Sequence, residues 1–258
     1  MKPNASALVV FGMAAIAVGV AFVAAWAYAR AGRAAGEPDP VRRRRFLLAL
    51  AVLGAWMAVT GLAAASGVLA QFERRPPPVM FVLLGTAAAG LAIGLSPVGA
   101  RLANGLSLAV LVGIQSFRLP LELVMHRAAQ EGVMPVQMSF SGLNFDIGAG
   151  ATAIVVSALL ATGRAPRALA MAWNMMGAAL LVTVVVIGVV SLPMFAAFGS
   201  EPARLNSWLA YFPFVWLATV MVAAAFAGHL VIARKILADR KASRDRARLG
   251  QGTASIVL

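Results

Sequence analysis

The strongest constraint on the fold is a series of long apolar runs. A helix needs about 20 apolar residues to cross a hydrocarbon core of about 30 Å. Only 12% of the residues are charged, too few to cover a soluble globule of this length. The sequence therefore predicts an all-α, polytopic transmembrane helix bundle over residues 1–233, followed by a basic cytoplasmic tail, 234–258. Seven spans are predicted, near residues 6–29, 46–70, 79–96, 105–125, 146–162, 168–190 and 213–233.

Positive charge is distributed unevenly between these runs. With the N-terminus outside, sixteen Lys and Arg residues fall on the cytoplasmic side and five on the outer side. Because cytoplasmic loops carry the excess of basic residues, we expect the N-terminus outside and the C-terminus in the cytoplasm. The first run is long and is followed by Arg30 and Arg33, which favours an uncleaved anchor over an export signal. The Ala-, Gly- and Arg-rich composition suggests a multi-pass protein of a bacterial inner membrane.

The net charge of +13 would suggest nucleic-acid binding in a soluble protein, but nucleic-acid binding is not expected here. The basic residues gather between apolar runs, where they act on topology and on anionic lipid. Arg42–Arg45 and the C-terminal tail are interpreted as topology determinants, with docking of anionic lipid or of a partner as the alternative. Gly90 and Gly94 permit close helix packing but do not identify a dimer face, so a membrane-protein partner or a homo-oligomer stays open.

A polar stripe interrupts the fourth run. Gln115, Arg118, Glu122 and His126 are three, four and four residues apart, so one helical face carries all four. We expect Arg118 and Glu122 to pair, because pairing reduces the free-energy cost of a charge within the membrane. Pro120 predicts a kink in the same turn. Ionisable side chains in spans usually face protein or water, so the stripe is predicted to line an outward-facing cavity.

Further polar residues follow before the fifth run. Asn144 and Asp146 can each cap the fifth helix, and each would still lie at the mouth of the same bundle. The predicted ligand-binding residues are Gln115, Arg118, Glu122, His126, Asn144 and Asp146. The alternative is a helix-end charge cluster without chemistry, in which Arg118 snorkels outward and Glu122 neutralises it.

Candidate cofactors are few. Glu122, His126 and Asp146 have side chains that can hold a divalent cation such as zinc, although no metal motif is present. Haem is not expected, because the two histidines, His126 and His229, lie towards opposite ends of the bundle. Retinal is not expected either, because no lysine lies in the middle of a span. The absence of cysteine removes disulfides and thiolate chemistry.

Three weaker patterns lie elsewhere in the chain. Asn174 and His229 fall at similar depths on the sixth and seventh spans and are expected to hydrogen-bond across the helices, with a relay role as the alternative. Residues 134–140 alternate in polarity, which predicts an extended segment that caps the bundle or enters its mouth. Residues 202–212 carry an apolar face and predict a short helix in the outer interface.

The polar block around the fourth span also carries a resemblance. The block SFRLPLELVMHRAAQEGVMPVQMSFSGLNFDI resembles a stretch of uncharacterised bacterial polytopic integral-membrane proteins. The resemblance covers about 30 residues and implies no activity.

Three functions are consistent with these patterns. The leading hypothesis is an outward-facing polar pocket that binds or transports a small polar or anionic solute. Arg118 would make the charge contact, and Glu122 would orient the solute or exchange a proton. The second is a non-catalytic membrane subunit or scaffold of a larger complex. The third is a metal-dependent membrane enzyme, although an enzymatic role is less expected than a binding role.

Overall fold

The computed structural model describes residues 3–254, and over these residues the chain is helical without a β-strand. The described residues contain nine α-helices: α1 (Ala7–Ala31), α2 (Asp39–Ala65), α3 (Pro78–Leu95), α4 (Pro97–Gly105), α5 (Leu108–Ile114), α6 (Arg118–Gln130), α7 (Asp146–Ala161), α8 (Arg167–Val190) and α9 (Ala223–Ala254). A π-helical turn, Leu217–Val222, leads directly into α9.

Six segments among the described residues are long and apolar enough to cross a membrane. They are α1, α2, α3, α5 with α6, α8, and the segment Leu217–Ala242. The predicted fifth run forms α7, which is apolar but has only 16 residues, or about 24 Å of helix. The prediction of a helical bundle compatible with a multi-pass membrane protein is confirmed.

Local sequence explains where the fourth span begins and breaks. The Ser107 hydroxyl accepts a hydrogen bond from the N–H of Val110 and so caps α5. A 3₁₀ turn, Gln115–Phe117, separates α5 from α6. Pro120 lies in the first turn of α6, where a missing N–H is tolerated. The predicted kink is therefore a break in the span just before Arg118.

The segment containing α9 is the most buried of the six candidate spans. It packs against α3, α4, α5 and α8. A Cβ atom on Gly90 of α3 would lie 3.2 Å from Phe226, and one on Gly94 would lie 2.7 Å from the Cβ of Leu230. The two glycines therefore bring α3 close to α9 within one chain, which is helix packing as the sequence predicts.

The apolar core is divided into two main clusters along the bundle. Leu121 and Met221 belong to the first cluster, and Val112 and Val231 belong to the second. Arg118 of α6 lies between the two clusters along its span. Buried polar residues therefore occupy the boundary between two apolar layers.

Two connecting segments differ from their sequence predictions. Val136–Met138 forms a 3₁₀ turn instead of an extended segment, because Gln137 turns inward to donate hydrogen bonds to Ser191 Oγ and the Arg204 carbonyl. Two 3₁₀ turns, Pro202–Arg204 and Trp208–Ala210, stand in place of the predicted interfacial helix. Trp208 is fully buried and packs 4.8 Å from the Phe214 ring, so tertiary packing overrides the amphipathic pattern.

The loop between α1 and α2 is fixed by an ion pair with α4. Both Glu37 carboxylate oxygens accept hydrogen bonds of 2.6 Å from Arg101. The Arg101 guanidinium also lies 4.8 Å from the Tyr28 ring centre. The Arg101 hydrogen bond lowers the pKa of the Glu37 carboxyl below its ordinary value of 4.5, and Arg45 and Arg42 act in the same direction.

This ion pair predicts a specific pH dependence. A carboxyl whose pKa is lowered on folding stabilises the fold above its unfolded pKa, and that stability is lost as the pH falls through the lower folded pKa. We expect the unfolding temperature of the parent protein to fall as the pH drops below about 4.5. The unfolding temperature of Glu37→Gln should fall less over the same pH interval. Glu73→Gln, at an exposed loop position, is the control. Identical pH profiles for the parent and Glu37→Gln would contradict this expectation.

Candidate functional site

A buried ion pair joins the first turns of α6 and α7. The Nε of Arg118 donates to Asp146 Oδ2 at 2.6 Å, and Nη2 donates to Asp146 Oδ1 and, at 3.0 Å, to the carbonyl of Gly177. Both side chains are almost fully buried. The predicted pairing of Arg118 with Glu122 is wrong, because Asp146 offers both carboxylate oxygens to the guanidinium fork.

Close contact between α6 and α7 makes this pairing possible. Gly150 lies one turn after Asp146 on α7. A Cβ atom there would lie 2.9 Å from the carbonyl carbon of Arg118, and closer still to the backbone nitrogen of Leu119. The missing side chain allows the backbones to approach, which holds Asp146 beside Arg118.

His229 and Asn174 extend the ion pair into a network. Arg118 Nη1 lies 2.9 Å from His229 Nε2, and His229 Nδ1 lies 2.9 Å from Asn174 Oδ1. Because a guanidinium can only donate, His229 Nε2 accepts, and Nδ1 carries the proton that it donates to Asn174. The predicted Asn174–His229 hydrogen bond is confirmed. Its continuation to Arg118 is not visible in the sequence, since 111 residues separate Arg118 from His229.

Asn144 binds the carboxyl group of Glu122. Its Nδ2 lies 2.9 Å from each oxygen of Glu122 and donates to the Met138 carbonyl at 2.9 Å. Its Oδ1 accepts from the N–H of Asp146, the first residue of α7. Phe145, not Asn144 or Asp146, occupies the N-cap position of α7 and makes no side-chain cap hydrogen bond. Asn144 lies one residue before it, satisfies the first N–H of the helix and also orients Glu122.

The remaining stripe residues turn away from this network. Gln115 is buried, and its Nε2 packs where a Cβ atom of Gly228 on α9 would lie. His126 lies at the other end of α6, where Nδ1 is 3.0 Å from Ser139 Oγ and the ring stacks 4.2 Å from Phe140. The stripe is therefore divided among three environments.

The predicted metal ligands do not form a site. Across residues 3–254, no group of three His, Asp or Glu side chains is placed to share a metal ion. Glu122 is bonded to Asn144, Asp146 to Arg118 and His126 to Ser139. The proposed set of Glu122, His126 and Asp146 is therefore corrected, because each side chain has a different partner.

A cavity of about 390 Å³ lies beside the network, between α3, α6, α8 and the π-helical turn with α9. This volume falls within the range of small-molecule pockets, about 300–1,000 Å³. Its ionisable lining residues are Arg118, Glu122 and Asp146. The other walls are mostly apolar and include Met80, Leu83, Phe117, Met138, Val185 and Phe226.

Two polar residues in the cavity wall were not predicted from the sequence. Thr86 Oγ1 and Asn206 Oδ1 are buried without a hydrogen-bond partner in the described part of the chain. The other amide atom of Asn206, Nδ2, donates to the Gly188 carbonyl at 2.8 Å. Thr86 is an isolated polar residue in an apolar run, and Asn206 is one of several polar residues in a loop, beside Ser207. The sequence therefore carried no signal that they would meet Glu122 at one cavity.

The rim of the cavity is exposed and apolar. Leu84 on α3 and Val186 on α8 line it and are 63% and 52% exposed. The cavity therefore opens sideways between α3 and α8. Its Arg118 is bound to Asp146 and is not free to face the opening.

Comparison with protein-family models, with curated proteins and with solved structures finds no match for this chain. What the protein does must therefore be inferred from the site itself.

Proposed function

We propose that this chain is a seven-span protein of a bacterial inner membrane, with its N-terminus outside and its C-terminus in the cytoplasm. The excess of Lys and Arg in the loops assigned to the cytoplasm supports this orientation. In this arrangement α7 is the additional span, and its 16 residues cross a locally thin part of the bilayer. The break before Arg118 is a 3₁₀ turn, which keeps backbone hydrogen bonds within the chain, as backbone within a membrane must.

In this proposal the lateral cavity binds a small amphiphile, a molecule with an apolar body and a hydroxyl or amino head group. The observation that carries it is a largely apolar cavity whose polar atoms are mostly hydrogen-bond acceptors. Asn206 Oδ1 has no donor among the side chains that the structure describes, and the two oxygens of Glu122 share one amide nitrogen. A ligand that donates hydrogen bonds satisfies these atoms, whereas an unsatisfied buried polar group costs about 1–3 kcal/mol.

Charge in the cavity disfavours an anionic ligand. Two carboxyl groups, Glu122 and Asp146, line it beside a single guanidinium. Arg118 is bonded to Asp146, to the Gly177 carbonyl and to His229, so little of its donor capacity remains. The expectation of a small polar or anionic solute therefore changes to a neutral or cationic amphiphile. Movement of the ligand across the membrane, with proton exchange at Glu122, stays a prediction.

Three probes of equal chain length test this proposal on the protein in lipid nanodiscs. We expect decylamine and 1-decanol to bind about tenfold or more tightly than decanoate, because the free atoms accept hydrogen bonds. Glu122→Gln should weaken decylamine binding by about tenfold. Glu73→Gln makes the same chemical change at an exposed position and should leave binding unchanged. Tighter binding of decanoate, or equal effects of the two variants, would contradict the proposal.

Thr86→Val provides a second variant that separates binding from folding. The change keeps the side-chain shape but removes a buried hydroxyl that has no partner among the described residues. We expect the free energy of unfolding of the ligand-free variant to be unchanged or slightly higher, while its binding of 1-decanol weakens. Full binding by Thr86→Val would contradict a head group that is hydrogen-bonded to Thr86.

A scaffold role is the second candidate, and one observation favours it. The guanidinium of Arg118 is almost saturated by protein partners, as in a structural ion pair. Absence of binding by all three probes, together with constant recovery of a partner protein in mild detergent, would support this role over ligand binding.

A further inference from the structure

A groove lies where the end of α1 meets the start of α2. Its volume is about 320 Å³, and four arginines from the two helices and their connection line it. They are Arg30, Arg33, Arg42 and Arg43. Among the described residues, Asp39 is the only carboxylate in the lining, so the groove carries a net positive charge.

Most of this charge is not neutralised by the described part of the chain. Asp39 pairs with Arg42. Arg30, Arg33 and Arg43 form no ion pair with any residue from 3 to 254. Arg30, Arg33 and Arg43 are exposed, so their guanidinium groups are accessible. Guanidinium groups bind phosphate oxygens in a bidentate manner, and several arginines together favour a phosphate group over a single carboxylate.

The same groove continues into an apolar surface. Phe22 and Phe46 make an edge-to-face contact with ring centres 5.4 Å apart, and Trp26 lies between Phe22 and Arg30 along α1. Phe22 is 53% exposed and Trp26 is 41% exposed. A phosphate group among the arginines would therefore place an attached acyl chain against these rings.

The backbone that carries the arginines is held in place. The loop between α1 and α2 is tied to α4 through the Glu37–Arg101 ion pair, and Arg45 also bonds to Glu37 at 3.1 Å. Arg45 thus supports the loop, whereas Arg30, Arg33 and Arg43 are left for a ligand. A fixed loop reduces the ordering cost of binding.

We propose that this groove is a specific site for an anionic phospholipid, with the phosphate bound by Arg30, Arg33 and Arg43 and an acyl chain lying on Phe22 and Trp26. The site is separate from the cavity beside Glu122. It differs from general attraction between basic loops and anionic lipid, because that attraction would depend equally on every nearby arginine.

Arg30 and Arg44 provide a matched pair for the test. Both are exposed arginines near the same end of the bundle. Arg44 does not line the groove but lines a neighbouring hollow of about 800 Å³, which shares Arg43 with the groove. The full-length protein in a neutral detergent is titrated with phosphatidylglycerol and with phosphatidylcholine, and bound lipid is counted by native mass spectrometry.

Arg30→Gln should weaken phosphatidylglycerol binding about fivefold, since a basic residue near a lipid surface contributes about 1 kcal/mol. Arg44→Gln should change binding less than about twofold, and phosphatidylcholine should bind weakly to every variant. Equal losses for the two variants would overturn the site in favour of diffuse attraction. Displacement of the lipid by millimolar inorganic phosphate would also overturn it, because the acyl chain would then contribute nothing.

Discussion

Changing Asp146 to Asn is expected to lower the free energy of unfolding by about 3–5 kcal/mol, because it leaves the buried charge of Arg118 without its counter-charge. Both side chains are almost fully buried, so water cannot replace the carboxylate. The measurement is reversible unfolding in mixed micelles. Arg127→Gln is the control, because Arg127 is 53% exposed and its ion pair with Glu131 contributes about 0–1 kcal/mol.

A double variant distinguishes charge from packing. In Arg118→Met with Asp146→Leu both charges are removed, and replacing a buried ion pair by apolar residues is often neutral. We expect this variant to be more stable than Asp146→Asn alone. A loss below about 1 kcal/mol for Asp146→Asn would show that the pair is solvated, and would contradict the buried network.

Gly150→Ala is expected to destabilise the protein by about 1–3 kcal/mol, because its methyl group would overlap the backbone of α6. The clash involves Leu119 N and the Arg118 carbonyl carbon, which cannot move like the end of a flexible side chain. Relief requires α7 to move away from α6, which separates Asp146 from Arg118. The variant should therefore also weaken the decylamine binding that we propose for the cavity.

Gly148→Ala is the matched control for this prediction. Gly148 lies two residues earlier on the same helix, and a Cβ atom added there would have no neighbouring atom within 4 Å. The free energy of unfolding of this variant should be unchanged or slightly higher, because alanine favours a helix more than glycine by about 1 kcal/mol. Equal destabilisation by the two variants would show that the loss does not arise from the contact of residue 150 with α6, and would contradict a role specific to Gly150.

Part of the candidate site follows from sequence spacing. Residues three and four apart share a helical face, so Arg118 and Glu122 are both buried beside one cavity. Asn144 and Asp146 are recognisable because polar residues before an apolar run can cap a helix. Spacing alone did not identify the partner of each charge. Glu122 is nearer to Arg118 in sequence, but Asp146 has the geometry to bind the guanidinium.

Other parts of the site depend on contacts between distant segments. Gly177 leaves room for His229, since a Cβ atom there would lie 2.8 Å from the imidazole Cε1. Thr86 and Asn206 meet the cavity from α3 and from the loop before α9. Nothing in the residues near Thr86 or Asn206 distinguishes them from ordinary polar residues of an apolar chain.

The sequence by itself determined that this chain is helical, apolar enough for a membrane and polar along one face of its fourth span. These properties are local, because hydrophobicity and helical spacing act over a few turns. Only the tertiary structure decided that Arg118 bonds to Asp146 and His229, that the predicted metal ligands separate, and that the cavity opens between α3 and α8. The physical reason is that hydrogen-bond partners and cavities depend on how closely helices approach one another. Glycines such as Gly150 set that distance, and their effect cannot be assessed until the facing helix is known.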